Sequence, residues 1–110
     1  MFKESNTKSD QEMTGIVGVY KDGLNTDPFG KKCWYQNNVP HRLDGPAVEM
    51  PNGTKKWFVN GDLHRLDGPA IEWCDGTKEY WYEGYLTPAF SLEEFQELVK
   101  IWIIEDVLNR

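Results

Sequence analysis

Short apolar and aromatic clusters alternate with turn residues through the middle of the chain, and from about residue 90 a longer helical period takes over. Pro46–Met50 and Pro69–Trp73 read as short strands followed by the turn signals Pro51-Asn52-Gly53 and Asp75-Gly76. Lys55–Val59 and Lys78–Tyr82 read as the aromatic-rich return strands. Asn60-Gly61, the strongest short hairpin dipeptide, closes the first of these. Upstream, Thr14–Tyr20 reads as a further strand with Lys21-Asp22-Gly23 as its turn, a worn starting unit that caps the array. The fold class expected is mainly β (α+β): a curved antiparallel meander of β-hairpins, six to seven strands, with one C-terminal helix capping the sheet.

The same pattern is an internal repeat. Residues 30–52 and 53–75 align without a gap, and twelve of the 23 positions are identical, seven of them in the run HRLDGPA at 41–47 and 64–70. A third, partial unit occupies 76–88 and loses that run. Residues 1–13 are read as a loose polar tail, 14–90 as the hairpin sheet and 91–110 as the helix. Equivalence across units and the two-residue period of a strand place Trp34, Trp57 and Tyr80 on one face, and Tyr35, Phe58 and Trp81 on the other. A sheet with aromatics on both faces is either covered on both or uses one as a binding surface. Gly45 and Gly68, each before a proline, are expected at positive φ.

The helix is expected to begin at Leu92 and run to about Leu108. Ser91 suits the N-cap, Glu94 completes a capping box, and Phe90 with Phe95 suits a hydrophobic staple. At 100° per residue Leu92, Phe95, Leu98, Val99, Trp102 and Ile103 share the face expected on the sheet. Ile101, Ile104 and Leu108 fall nearly opposite. Such a second stripe means either a helix wedged between layers or an interface, here expected with a second copy of the chain, a homodimer about a two-fold axis.

Charge narrows the partners. Twelve basic and eighteen acidic residues leave a net −6 and a pI near 4.8. That balance argues against direct binding of nucleic acid or of anionic membranes. The last twenty residues hold five acids and two bases, which reads first as a solvated helix face. No apolar run is long enough to span a membrane and the first residues are polar, so a cytoplasmic protein is expected. Cys33 and Cys74 are too few and too far apart for a disulfide scaffold or a zinc spacing, and no metal is expected.

The repeated His41-Arg42-Leu43-Asp44 and His64-Arg65-Leu66-Asp67 place an imidazole near a carboxylate, as proton transfer requires. Recurrence at a fixed period points instead to structure, with Arg42 reaching Asp67 of the next unit and Asp44 closing its own turn. No nucleophile, phosphate loop or paired-carboxylate signature stands near them, and no catalytic residue is assigned. His41, Arg42, His64 and Arg65 are kept as ligand-contact candidates for a nucleotide or a sugar.

The HRLDGPA runs and the Trp57-Phe58-x-Asn60-Gly61 and Trp34-Tyr35-x-Asn37 segments resemble MORN-related repeats, whose units read roughly W-Y-x-N-G-x-x-H-R-x-D-G-P-A-x-E and recur in small bacteriophage, bacterial and giant-virus proteins. The resemblance covers residues 30–88, with Asn38 in place of the turn glycine in the first unit. It implies hairpin sheets, no cofactor and protein binding as the commonest role. The expected function is a non-catalytic protein-binding module, a small phage accessory protein that modulates or inhibits a host protein, including a defence protein, with acidic mimicry of nucleic acid as one route. Partner-binding candidates are Ile101, Ile104 and Leu108 on the helix and Tyr35, Phe58 and Trp81 on the sheet.

Overall fold

The structure, a computed structural model, describes residues 20–110. The expected tail at 1–13 and most of the expected strand at 14–20 lie outside the described residues. Among those described, the chain is mainly antiparallel β with one C-terminal helix. The strands are β1 (Gly23–Thr26), β2 (Lys32–Gln36), β3 (Val39–Pro40), β4 (Val48–Glu49), β5 (Lys55–Lys56), β6 (Phe58–Val59), β7 (Asp62–Leu63), β8 (Ile71–Glu72), β9 (Lys78–Glu79), β10 (Trp81–Tyr82) and β11 (Tyr85–Leu86); the helix is α1 (Leu92–Leu108). A main sheet runs in the order β1-β2-β4-β5-β8-β9, with β3 on the far end of β2. Two separate hairpins, β6–β7 and β10–β11, stand off it.

The return strands expected at 55–59 and 78–82 are therefore each split, at Trp57 and at Tyr80. The reason lies in where the joint residue sends its backbone groups. Trp57 donates its N–H to Ala70 O (2.7 Å), across the main sheet, while its carbonyl accepts from His64 N–H (3.0 Å), within the hairpin. Trp34 does the same with Ala47 O (2.8 Å) and His41 N–H (2.9 Å), although β2 stays continuous there. Trp34 and Trp57 thus each serve two ladders, and after Trp57 the chain turns out of the main sheet; at Tyr80, next to the last strand of that sheet, the carbonyl accepts from Thr87 N–H (2.9 Å) within the hairpin.

Tight turns close the hairpins. Asn37-Asn38 (φ 52° and 68°), Asn60-Gly61 (51° and 88°) and Glu83-Gly84 (47° and 85°) hold two successive residues in the left-handed region, as a two-residue hairpin of the primed type requires. Asparagine tolerates this conformation, which is why Asn38 can stand where the other units have glycine. Successive hairpins are tied together by Gly61 N–H to Pro40 O (2.8 Å) and Gly84 N–H to Leu63 O (2.9 Å).

The buried interior of the repeats is made of small and medium side chains. Ala47 and Ala70 are fully buried, and Cys33, Val48, Thr54 and Ile71 are buried around them. Thr54 spends its hydroxyl on Cys74 N–H at the other end of the same unit (3.1 Å). A second core forms where Phe95 and Val99 of α1 meet Tyr80, with Tyr82, Ala89 and Leu92 packed at its edge.

Ser91 caps α1 as expected, accepting from Glu94 N–H (3.2 Å), and the Glu94 carboxylate accepts from Phe90 N–H (2.7 Å). The staple does not form: Phe90 is 92% exposed. Nor is Ile103 on the sheet, being half exposed. The docked face is narrower: Leu92, Phe95 and Val99 lie on the core around Tyr80, and the last contact along the helix is Trp102, whose ring lies 5.8 Å from that of Tyr82 in β10. Beyond Trp102 the helix is exposed on all sides. Among the described residues no second layer covers this part of the helix, so the wedge between layers is not formed by them.

Candidate functional site

The repeated His-Arg-Leu-Asp motif builds two superposable structures. Arg65 lays its guanidinium 3.8 Å above the Trp57 ring, and Arg42 lies 3.9 Å above that of Trp34. Guanidinium over indole is a favourable cation–π geometry. Arg65 Nε donates to Asp67 (2.9 Å), and its Nη1 to Pro69 O and to Glu72 (both 3.1 Å). Arg42 repeats this with Asp44 (2.9 Å), Pro46 O (3.1 Å) and Glu49 (3.4 Å). The expected pairing of Arg42 with Asp67 is not made, because the proline that follows the turn brings the unit's own carbonyl and carboxylates within reach. The Arg42 bond holds the Asp44 carboxyl below its ordinary pKa.

Gly45 and Gly68 are not in the left-handed region, contrary to expectation. Their requirement is space: a Cβ on Gly68 would stand 2.6 Å from the Arg65 guanidinium carbon, and one on Gly45 would stand 2.9 Å from that of Arg42. The glycines let the guanidinium lie flat between turn and indole.

The histidines link units. His41 Nδ1 accepts from Asn60 N–H (2.9 Å) and His64 Nδ1 from Glu83 N–H (3.0 Å), in each case the first turn residue of the next hairpin. The other ring nitrogen then carries the proton in the neutral form. A groove of about 550 Å³ between the two motif loops is lined by Arg42, Trp57, His64 and Arg65. Arg42, His64 and Arg65 are three of the four residues considered for a nucleotide or sugar, and the fourth, His41, does not line this groove; both guanidiniums already have three internal acceptors each. What the motif leaves outward is apolar: Leu43 is 79% exposed and Leu66 about half. Sequence reasoning passed over both, although a leucine recurring inside a polar turn was the available signal.

Of the sheet aromatics, Tyr35, Phe58 and Trp81 are all half-buried. Tyr35 stacks in parallel on Tyr20 at 4.0 Å, and burial, with Cys33 and Tyr20 beside it, raises its hydroxyl pKa. Trp81 donates its indole N–H to Glu79 (2.9 Å), which also accepts from Trp73 (2.8 Å). The face opposite, Trp34, Trp57 and Tyr80, is covered position by position, by Arg42, by Arg65 and by Phe95. Neither aromatic set forms a bare surface.

The helix does. Ile101, Ile104 and Leu108 are 50%, 57% and 76% exposed, and Ile103 and Val107 are about half exposed beside them. Leu98, expected on the sheet, instead helps line an open groove of about 500 Å³ along the helix, with Ile101, Pro88 and Ala89. Glu93, Glu94 and Glu97 complete its lining. The helical period held this signal too, since these glutamates fall among the second-stripe aliphatics.

Among the described residues no cluster of His, Cys, Asp or Glu could hold a metal ion, and no helix is long and apolar enough to cross a membrane. Cys33 is buried and Cys74 exposed, both as free thiols. Comparison of the chain with family models, with curated proteins and with solved structures finds no match.

Proposed function

We propose that this protein is a non-catalytic protein-binding module in which the hairpin repeats form the scaffold and the projecting C-terminal helix is the binding element. One observation carries the reading: five aliphatic side chains between Ile101 and Leu108 are about half exposed or more on the C-terminal half of the helix, beside and beyond its last contact with the sheet at Trp102. Burying an isoleucine or leucine contributes about 1.5–3 kcal/mol, so a partner covering this stretch gains a substantial affinity. The repeat motif supports the same division of labour, because its charged groups are consumed in holding the scaffold together. From the resemblance to MORN-related repeats of phage proteins we take the partner to be a host protein, met in the cytoplasm and modulated by the binding.

Affinity capture from host lysate, with the wild type and Ile104→Glu side by side, tests the reading. A protein retained by the wild type and lost with Ile104→Glu, at an unchanged melting temperature, supports it. Retention by both, with loss on Leu43→Ser/Leu66→Ser, moves the binding surface to the motif loops.

A further inference from the structure

The uncovered face of α1 is chemically one-sided. At 100° per residue, Glu93, Ile104, Glu97, Leu108, Ile101, Glu94, Glu105 and Leu98 fall in that angular order within an arc of roughly 140°. Four carboxylates are interleaved with four aliphatics, and no lysine or arginine falls inside the arc. Lys100 lies just outside it and is paired with Glu97 (3.0 Å), while Arg110 is on the far side, paired with Asp106 (2.9 Å). The same face carries the open groove whose floor is Leu98, Ile101, Pro88 and Ala89. A solvated surface needs the charges but not the aliphatics, and a simple apolar patch needs the aliphatics but not four like charges among them.

We propose that this groove and stripe dock a basic amphipathic helix of a partner protein, one whose lysines or arginines alternate with aliphatic side chains at helical spacing. The inference rests on the protein-binding reading above and names the partner's chemistry. Complementarity is point by point: the aliphatics enter the groove and lie along Ile101, Ile104 and Leu108, and the bases meet Glu93, Glu94, Glu97 and Glu105 at its margins. A second copy of the chain is the poorer occupant. It would bring the same four carboxylates against these four, offset on each face only by the Lys100 at its edge that pairs with Glu97, on a chain of net charge −6. An anionic membrane is disfavoured by the same sign of charge.

The test is a titration of the full chain with a labelled synthetic peptide of about twenty residues in which single lysines alternate with pairs of leucines, followed by fluorescence anisotropy. Two control peptides replace every lysine by glutamate or every leucine by glutamine. Saturable binding of the first peptide alone is expected, weakening as salt is raised from about 0.05 M to about 0.5 M. Glu93→Gln/Glu97→Gln/Glu105→Gln, which spares the capping residue Glu94, should weaken it about tenfold, from three exposed charge pairs. Ile101→Ser/Ile104→Ser should abolish it with the melting temperature unchanged, since both side chains are already half exposed. Equal binding of the glutamate peptide, or binding indifferent to both variants, overturns the proposal. So does a wild type that sediments as a dimer, becomes monomeric on Ile104→Glu and refuses the peptide, which assigns the face to a second copy. If the peptide fails while lysate capture still depends on Ile104, the partner chemistry is wrong and the protein-binding reading stands.

Discussion

The second repeat unit and the third begin alike and end differently. Trp57 and Tyr80 occupy equivalent positions, and each is the joint at which a strand leaves the main sheet. Over Trp57 lies a guanidinium supplied by the same unit, Arg65, held by two carboxylates and a carbonyl. Over Tyr80 lies Phe95, supplied by the helix, with ring centroids 5.5 Å apart. His64 faces onward and accepts a hydrogen bond from the next hairpin, whereas Thr87, its counterpart, turns its hydroxyl inward to Tyr80 O (2.8 Å). A repeating unit carries its own polar lid and offers a link to its neighbour. A terminal unit offers none, and its aromatic joint is closed by hydrophobic cover from outside the array. This is the capping requirement of repeat architectures met by a single helix.

The largest effect is expected on the terminal side of this comparison. Phe95 is fully buried, so Phe95→Ala should cost about 3–5 kcal/mol and release α1 from Tyr80. Chemical denaturation measures the loss, and near-ultraviolet circular dichroism should report a disturbed Tyr80 environment. A loss under about 1 kcal/mol would mean that the helix does not close the array.

On the repeating side, Gly68→Ala should cost about 1–3 kcal/mol, because its Cβ displaces a guanidinium held by three acceptors and an indole. In an Arg65→Ala background the same substitution should be nearly neutral. Positive coupling in that double-mutant cycle separates a steric requirement from a conformational one, under which Gly68→Ala would cost the same in both backgrounds.

The link between units is weaker. His64→Ala removes the acceptor for Glu83 N–H and should cost about 0.5–1.5 kcal/mol. His64→Asn, whose side-chain oxygen can replace Nδ1, should recover part of it. Equal melting temperatures for His64→Ala and wild type would remove the link from the account.

The smallest effect is in pH. Arg42 lowers the folded-state pKa of Asp44, so this contact stabilises the fold above the ordinary aspartate range and is lost as the pH falls through the depressed folded value. Wild type and Asp44→Asn should differ in melting temperature near neutrality and converge in acid. A difference that grows on acidification would contradict the sign.

How much of this the sequence disclosed follows from what a period can carry. Equivalence between Trp34, Trp57 and Tyr80, the hairpin turns and the Ser91 cap were all legible, because each is a local pattern of residue types. Partners were not. Whether Arg42 pairs with Asp44 or with Asp67 depends on the path of the Asp44-Gly45-Pro46 turn, and a repeat with both aspartates in register permits either. Splitting of the return strands was hidden for the same reason, since Trp57 suits a strand whichever ladder its two backbone groups join. The role of Gly68 was concealed by a correct general rule applied where another constraint operates. On the helix, the wheel separated two apolar stripes but held no information on where the sheet ends, and that decides that Ile103 is exposed while Trp102 packs.

The central claim is that the repeats support and the helix binds. It is tested most directly by mapping the lysine–leucine peptide onto the isotopically labelled protein through its backbone amide resonances. The account predicts shifts confined to the helix and its groove, from Pro88's neighbours through Leu108, with the loops at Arg42–Gly45 and Arg65–Gly68 unmoved. Shifts concentrated on those loops, with the helix silent, would contradict it.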